Sequence, residues 1–319
     1  MFQMKRATLL GAILLIASLP CFGANTVRGI MVRSAQIFIQ PASDSARIGQ
    51  VDRGREVAIL EEPGKGWIHV LATVGKNRNT GAETDISGWL LDKGVVRATT
   101  PNGDKIVFGE AVSSEAEASR RGGRKGADTD ALRLYYRCAE YFPQSPLAGE
   151  ALYRAADIQW QLDRADVFSR PSARQRDPNL RVYGIDESLM KEVKKKFPHT
   201  KWADLADFHM LDNKLCGDWQ AQSKCPEKEA DMYEKYAAEH PQSPAVPEAL
   251  YDAAYRHSAL ISIYPNEGKS GKVDEAKSQA ESLCQRIISS YAQTDWAARA
   301  QALLYQVQQG IPTFGTQIQ

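Results

Sequence analysis

His240-Pro241-Gln242-Ser243-Pro244, running into an Ala-rich stretch at 249–251, decides the reading of the C-terminal half of this 319-residue chain. Proline ends one helix, and a hydroxyl residue two positions later is suited to start the next. The frame recurs three times. Tyr141-Phe142-Pro143-Gln144-Ser145-Pro146 leads into 148–153, and Phe197-Pro198-His199-Thr200-Lys201-Trp202-Ala203 leads into 205–208. Tyr291-Ala292-Gln293-Thr294-Asp295-Trp296-Ala297 leads into 300–305. The pattern predicts Ser145, Thr200, Ser243 and Thr294 as N-caps, with Pro146 and Pro244 at the first helical position. Leu250, Ala253, Ala254, His257 and Ile261 fall on one stripe at helical spacing, and Leu152, Ala155, Ala156 and Gln159 repeat it. Residues 128–309 are therefore expected to form four helical hairpins stacked as a short solenoid, with a concave face open to a peptide or partner helix.

Equivalent turn positions lie 55, 43 and 51 residues apart, against a period near 34 for a plain tetratricopeptide array. The irregularity predicts long loops at 169–184 and around Cys216 and Cys225. The turn motif resembles the tetratricopeptide-like repeats of exported envelope proteins, which implies helix pairing and a protein-binding role.

Working outward, residues 25–98 read as a small all-β barrel. Short runs at 37–39, 47–51, 56–60, 67–71 and 88–91 alternate with Pro, Gly and Asp turn signals. Ile37, Phe38, Val57 and Trp67 are the side chains expected to fill it. The order Ile48-Gly49-x-Val51, Gly54-x-x-Val57, Gly66-Trp67-x-x-Val70 and Gly88-Trp89-Leu90 resembles bacterial SH3 domains, with residues 72–87 as a lengthened hairpin. That resemblance implies a binding module, with Trp67 and Trp89 as a recognition surface and peptidoglycan or protein as the ligand class. Burial statistics for Trp point instead to a place in the barrel core or rim. His69 reads as a surface strand residue.

Residues 99–127 have the Gly, Ser and charge content of a linker, with room for a short helix at 110–119 and a basic run at 120–125. The run is suited to a phosphate or an acidic surface, although its Gly content favours a solvated hinge. Residues 1–24 carry Lys5 and Arg6, an uncharged apolar run at 7–19, Pro20 and the small residues Gly23 and Ala24. This is signal-peptide anatomy and implies export to the periplasm or cell envelope. Pro20 before Cys21 is a poor match to a lipidation motif. Residues 310–319 read as a tail.

Export places the remaining cysteines in an oxidising compartment. Cys216 and Cys225 flank a short polar stretch and are expected to form a disulfide, while Cys138 and Cys284 lie in helical patterns as small buried residues. The chain carries 40 Lys and Arg against 39 Asp and Glu, which argues against a general nucleic-acid binder. No stretch after residue 24 is apolar enough for a transmembrane helix. His257 reads as a hydrogen-bonded core residue, and Lys194-Lys195-Lys196 as a helix end suited to the backbone dipole.

No nucleophile elbow, phosphate loop, zinc motif or paired-carboxylate site is present, so no catalytic, cofactor or metal residue is assigned. The functional expectation is a non-enzymatic envelope adaptor. Its repeats would hold a protein partner and its barrel a second ligand. A peptidoglycan-binding wall protein and an envelope hydrolase are the alternatives.

Overall fold

The computed structural model describes residues 27–76, 83–169, 185–217 and 219–314. The signal segment with Cys21 and residues 170–184 of the loop expected at 169–184 lie outside these residues, and Ser169 belongs to a helix. Seven antiparallel strands come first: β1 (Val27–Met31), β2 (Ala35–Phe38), β3 (Arg47–Val51), β4 (Glu56–Gly64), β5 (Trp67–Lys76), β6 (Glu83–Leu91) and β7 (Val95–Val96). They form one curled sheet in the order β3-β2-β6-β5-β4-β1-β7, a half-barrel. The flanking strands β1 and β7 pair with each other, so the domain includes two elements absent from the sequence reading.

Alternation along β5 decides the core. Ile68, Val70 and Ala72 point inward with Ile37, Val51, Val57 and Leu90, and this aliphatic set is closed without an aromatic ring. The run Trp67-Ile68-His69-Val70-Leu71 is nearly apolar at every position, so sequence pattern alone does not choose a face. Residues that pack at low conformational cost took the interior, and Trp67 lies on the outer face with Trp89. The expectation that Trp67 fills the core is corrected accordingly, whereas Phe38 is buried beside the aliphatic set, 8% exposed. Ile37 and Val57 do belong to it. Gly88 lets β2 cross at this point. A Cβ there would stand 2.6 Å from the Ile37 side chain and 2.8 Å from the Phe38 carbonyl oxygen.

Nine helices follow among the described residues: α1 (Gly103–Ala118), α2 (Ala127–Tyr141), α3 (Ala148–Ser169), α4 (Ser188–Lys196), α5 (Lys201–His209), α6 (Lys224–Glu239), α7 (Val246–Asn266), α8 (Val273–Ser290) and α9 (Asp295–Gln308). The reading of 99–127 as a linker is corrected by α1, which packs along α2. Its buried stripe is Gly103, Val107, Ala111 and Ser114, small and partly polar, so the sequence carries little amphipathic signal there. Val107 and Ala111 share a core with Ile30, Val32 and Val96 of the sheet and with Leu134, Tyr135 and Leu152 of the helices. Sheet and helices are thus one packed body. Glu56 accepts a 2.5 Å bond from the Tyr141 hydroxyl across the junction. Gly54 (φ 76°) lies so close to α2 that a Cβ would stand 2.6 Å from that of Arg133.

The four turn motifs share one backbone geometry. Phe142, Phe197, His240 and Tyr291 end their helices at φ near −125° and ψ between 35° and 56°. Each donates its amide to the carbonyl four residues back. Proline at the next position disfavours helical angles in the first three. Thr200 caps α5 by accepting from the Ala203 amide, whereas Thr294 sits at the cap position of α9 and donates to the Tyr291 carbonyl instead. Ser145 and Ser243 are not N-caps. Each accepts from the amide two residues on, and the helices begin at Ala148 and Val246. Pro146 and Pro244 accordingly lie in the turn, and Pro247 occupies the helix start.

Each turn joins a packed pair: α2 with α3, α4 with α5, α6 with α7 and α8 with α9. The first two pairs share one core and the last two another. Glu-Ala-Leu-Tyr-x-Ala-Ala occurs at 150–156 and again at 248–254, 98 residues on, so the helical region repeats as a double hairpin.

Candidate functional site

On the outer face of the sheet a ladder of side chains crosses four strands. Phe38 of β2 is registered opposite Trp89 of β6, Trp89 opposite His69 of β5, and His69 opposite Glu61 of β4. The His69 and Trp89 rings stack at 4.7 Å with planes 16° apart. His69 is held on both ring nitrogens, by Ser87 Oγ at 3.1 Å and Glu61 at 3.4 Å. Trp67 meets Phe38 edge-on at 5.6 Å, and the Arg47 guanidinium lies over the other side of that ring at 5.9 Å. Both Trp residues are half-buried, and Leu71 and Leu91 extend the apolar surface beside them. The two tryptophans singled out in the sequence are therefore brought together on one exposed face. His69 completes the surface, and Phe38, buried beside them, supports it. Both placements follow from strand register, which the sequence does not reveal.

The helices carry a second cluster of rings and charges. Trp202 of α5 stacks on Tyr153 of α3 at 5.5 Å, and Trp296 of α9 meets Tyr251 of α7 at 5.3 Å. Trp202 and Trp296 stand two residues after Thr200 and Thr294, and Tyr153 and Tyr251 eight after Ser145 and Ser243. The joint is thus the same in both double hairpins. Around it lie half-buried carboxylates. Burial holds Asp157, Glu248 and Asp252 above the usual carboxylate range, opposed by His209, Arg299 and Arg256 respectively. His209 bridges Tyr153 at 3.1 Å and Asp157 at 3.3 Å.

Cys216 and Cys225 are joined, with Cα atoms 6.0 Å apart. The loop they close is tied down by Glu229, whose side chain is 2% exposed. Glu229 accepts from the Cys216 amide at 2.9 Å, the Trp219 indole at 3.1 Å and Arg256 at 3.2 Å. A cavity of about 180 Å³ opens beside it, lined by Arg164, Asp212, Trp219 and Arg256 among others. Residues 313–314 pack against this place, where Phe314 lies against Trp219 at 5.2 Å and Thr313 bonds Ser258 at 2.8 Å.

His257 bonds Glu234 at 2.8 Å, and no group of metal-ligating residues occurs among the described residues. Lys194 and Lys196 are paired, with Asp207 and Glu192, so the lysine run is anchored rather than wholly solvated. Cys138 and Cys284 are buried in separate cores, with thiols pushed up to about 12 by burial. A thiol in that state is a poor nucleophile. No described helix is long and apolar enough to cross a membrane. The chain matches no family model, no curated protein and no solved structure.

Proposed function

We propose that this protein is a non-enzymatic adaptor of the cell envelope, in which an SH3-like half-barrel holds one ligand and tetratricopeptide-like hairpins hold a protein partner. The observation that carries the reading is the outer ladder Phe38–Trp89–His69, flanked by Trp67. Phe38 is buried, but the aliphatic sheet core closes without Trp67, His69 and Trp89, which stay half-exposed above it. Large rigid aromatics at an exposed face supply contact area at low entropic cost. The helical face adds a second surface of rings and carboxylates on a separate part of the chain. Signal-peptide anatomy at residues 1–24 supports an exported setting, and the disulfide is consistent with one.

A second reading, binding of peptidoglycan by the sheet, is favoured by the same face, since flat aromatic rings stack on sugar rings. Co-sedimentation of the chain lacking residues 1–24 with purified peptidoglycan separates the two. Pelleting that is lost in Trp67→Ala and Trp89→Ala supports the wall ligand. No pelleting, together with partner capture lost in those variants, supports a protein ligand. Equal behaviour of wild type and both variants in all assays removes the sheet face from the proposal.

A further inference from the structure

A cleft of about 500 Å³ lies where the sheet meets the helices, between the β3–β4 turn, the 124–126 loop and the start of α2. Four cations line it, Arg53, Arg124, Lys125 and Arg133, against two carboxylates, Asp52 and Asp130. Arg124 is satisfied by Asp130 at 2.6 Å and Glu117 at 3.5 Å. Arg53 donates to the Ser114 hydroxyl at 3.0 Å, and among the described residues neither it nor Lys125 has an ion-pair partner. Arg133 reaches Asp130 at only 3.7 Å and faces a second guanidinium, Arg55, whose Nε is buried without a hydrogen-bond partner. Burial, then Arg55, lowers the Arg133 guanidinium from its ordinary value, opposed by Asp130, Asp52 and Glu83. Helix α2 opens onto the same cleft. Its N-cap is Gly126, which supplies no side-chain cap, and its free amides open onto the cleft beside Asp128 and Asp130 of the first turn, which offset part of the helix's positive end.

The geometry points to a binding site for a phosphomonoester in this cleft, held by Arg53, Lys125 and Arg133 at the N-terminus of α2. Among the described residues, Arg53 and Lys125 have no carboxylate partner and Arg133 only a distant one, and donors on three separate walls suit the three terminal oxygens of a phosphate better than a single planar carboxylate. The basic run at 120–125 thereby acquires a definite place, as one wall of a built cleft. The site is independent of the aromatic face, which lies elsewhere on the sheet.

Calorimetric titration of the full chain with glycerol 3-phosphate at low salt tests it, beside vesicles containing phosphatidic acid as a lipid source of the same group. The expected result is saturable binding in at least one arm, weakened about tenfold or more in Arg53→Gln and in Lys125→Gln. The arm that binds more tightly identifies the source. Lys125 is exposed, so its replacement leaves folding intact and keeps the test decisive. Absence of binding in both arms overturns the site. Binding unchanged in both variants, or matched by acetate at equal concentration, overturns it as well.

Discussion

Trp202 lies on Tyr153 with ring planes 30° apart, and this contact joins one helical hairpin to the one before it. Its counterpart, Trp296 on Tyr251, joins the last two. Trp202→Ala should therefore cost about 2–4 kcal/mol of stability, in the range of large-to-small changes at packed sites. Trp296→Ala should cost less, because only one terminal hairpin depends on it. Urea denaturation gives the magnitudes. Hydrogen exchange should show protection lost mainly over 273–308 in the second variant. Equal, global loss of protection in both would refute the joint as a local hinge between hairpins.

Trp67→Ala and Trp89→Ala should lower stability by no more than about 1–2 kcal/mol each, since their rings lie outside the closed aliphatic core. Ile68→Ala or Leu90→Ala should cost about 2–5 kcal/mol. A reversal of that order in thermal melts would show the outer ladder to be structural rather than a surface for ligand.

Glu248 bears on pH dependence. Its folded carboxyl titrates above the ordinary value because of burial first and Asp252 second. Between the unfolded and folded pKa the native state binds more protons, so stability falls as pH rises through that window. The penalty is complete above the folded pKa and absent below the unfolded one. Glu248→Gln should raise the melting temperature at pH 7, and the gain should vanish as pH falls toward about 4. A gain that persists at low pH would assign the effect to packing.

Gly54→Ala should destabilise the whole chain by about 1–3 kcal/mol. A side chain at φ 76° is strained, and it meets α2 at 2.6 Å. Because sheet and helices share a core, the variant should melt in one transition monitored at both β and α signals. Separate transitions in the wild type would contradict the shared core.

Opening the Cys216–Cys225 bond by Cys225→Ser should cost about 2–3 kcal/mol on the chain-entropy account of so short a loop. Trp219 fluorescence should report it, because the indole is fixed by Glu229 beside that bond. Unchanged emission and stability would mean the loop is held by Glu229 alone.

The order of β before α and the four helix turns were legible in the sequence because proline, hydroxyl and alanine act locally. The inner and outer faces of β5 were not, since Trp67 to Leu71 offers apolar side chains to both. Helix α1 escaped for the opposite reason. Its buried stripe of Gly103, Val107, Ala111 and Ser114 is made of residues that need not be buried, and only the sheet behind it makes them so. Of the candidate site, Trp67 and Trp89 could be named from their Gly-Trp steps, whereas Phe38 and His69 required the strand register. The Tyr–Trp joints are long-range pairs whose partners lie about 45–50 residues apart, beyond any periodicity a single helix can display.

The core shared by Ile30, Val32 and Val96 with Val107 and Leu134 gives the molecule a polarity. An array of hairpins leaves an apolar flank at each extremity unless something seals it. Here the sheet seals the first, so the array has a fixed origin. On the other side α9, the last described helix, leaves Tyr305 58% exposed. Fraying of the array should therefore begin on the α9 side, with hydrogen exchange faster over 295–308 than beside the sheet.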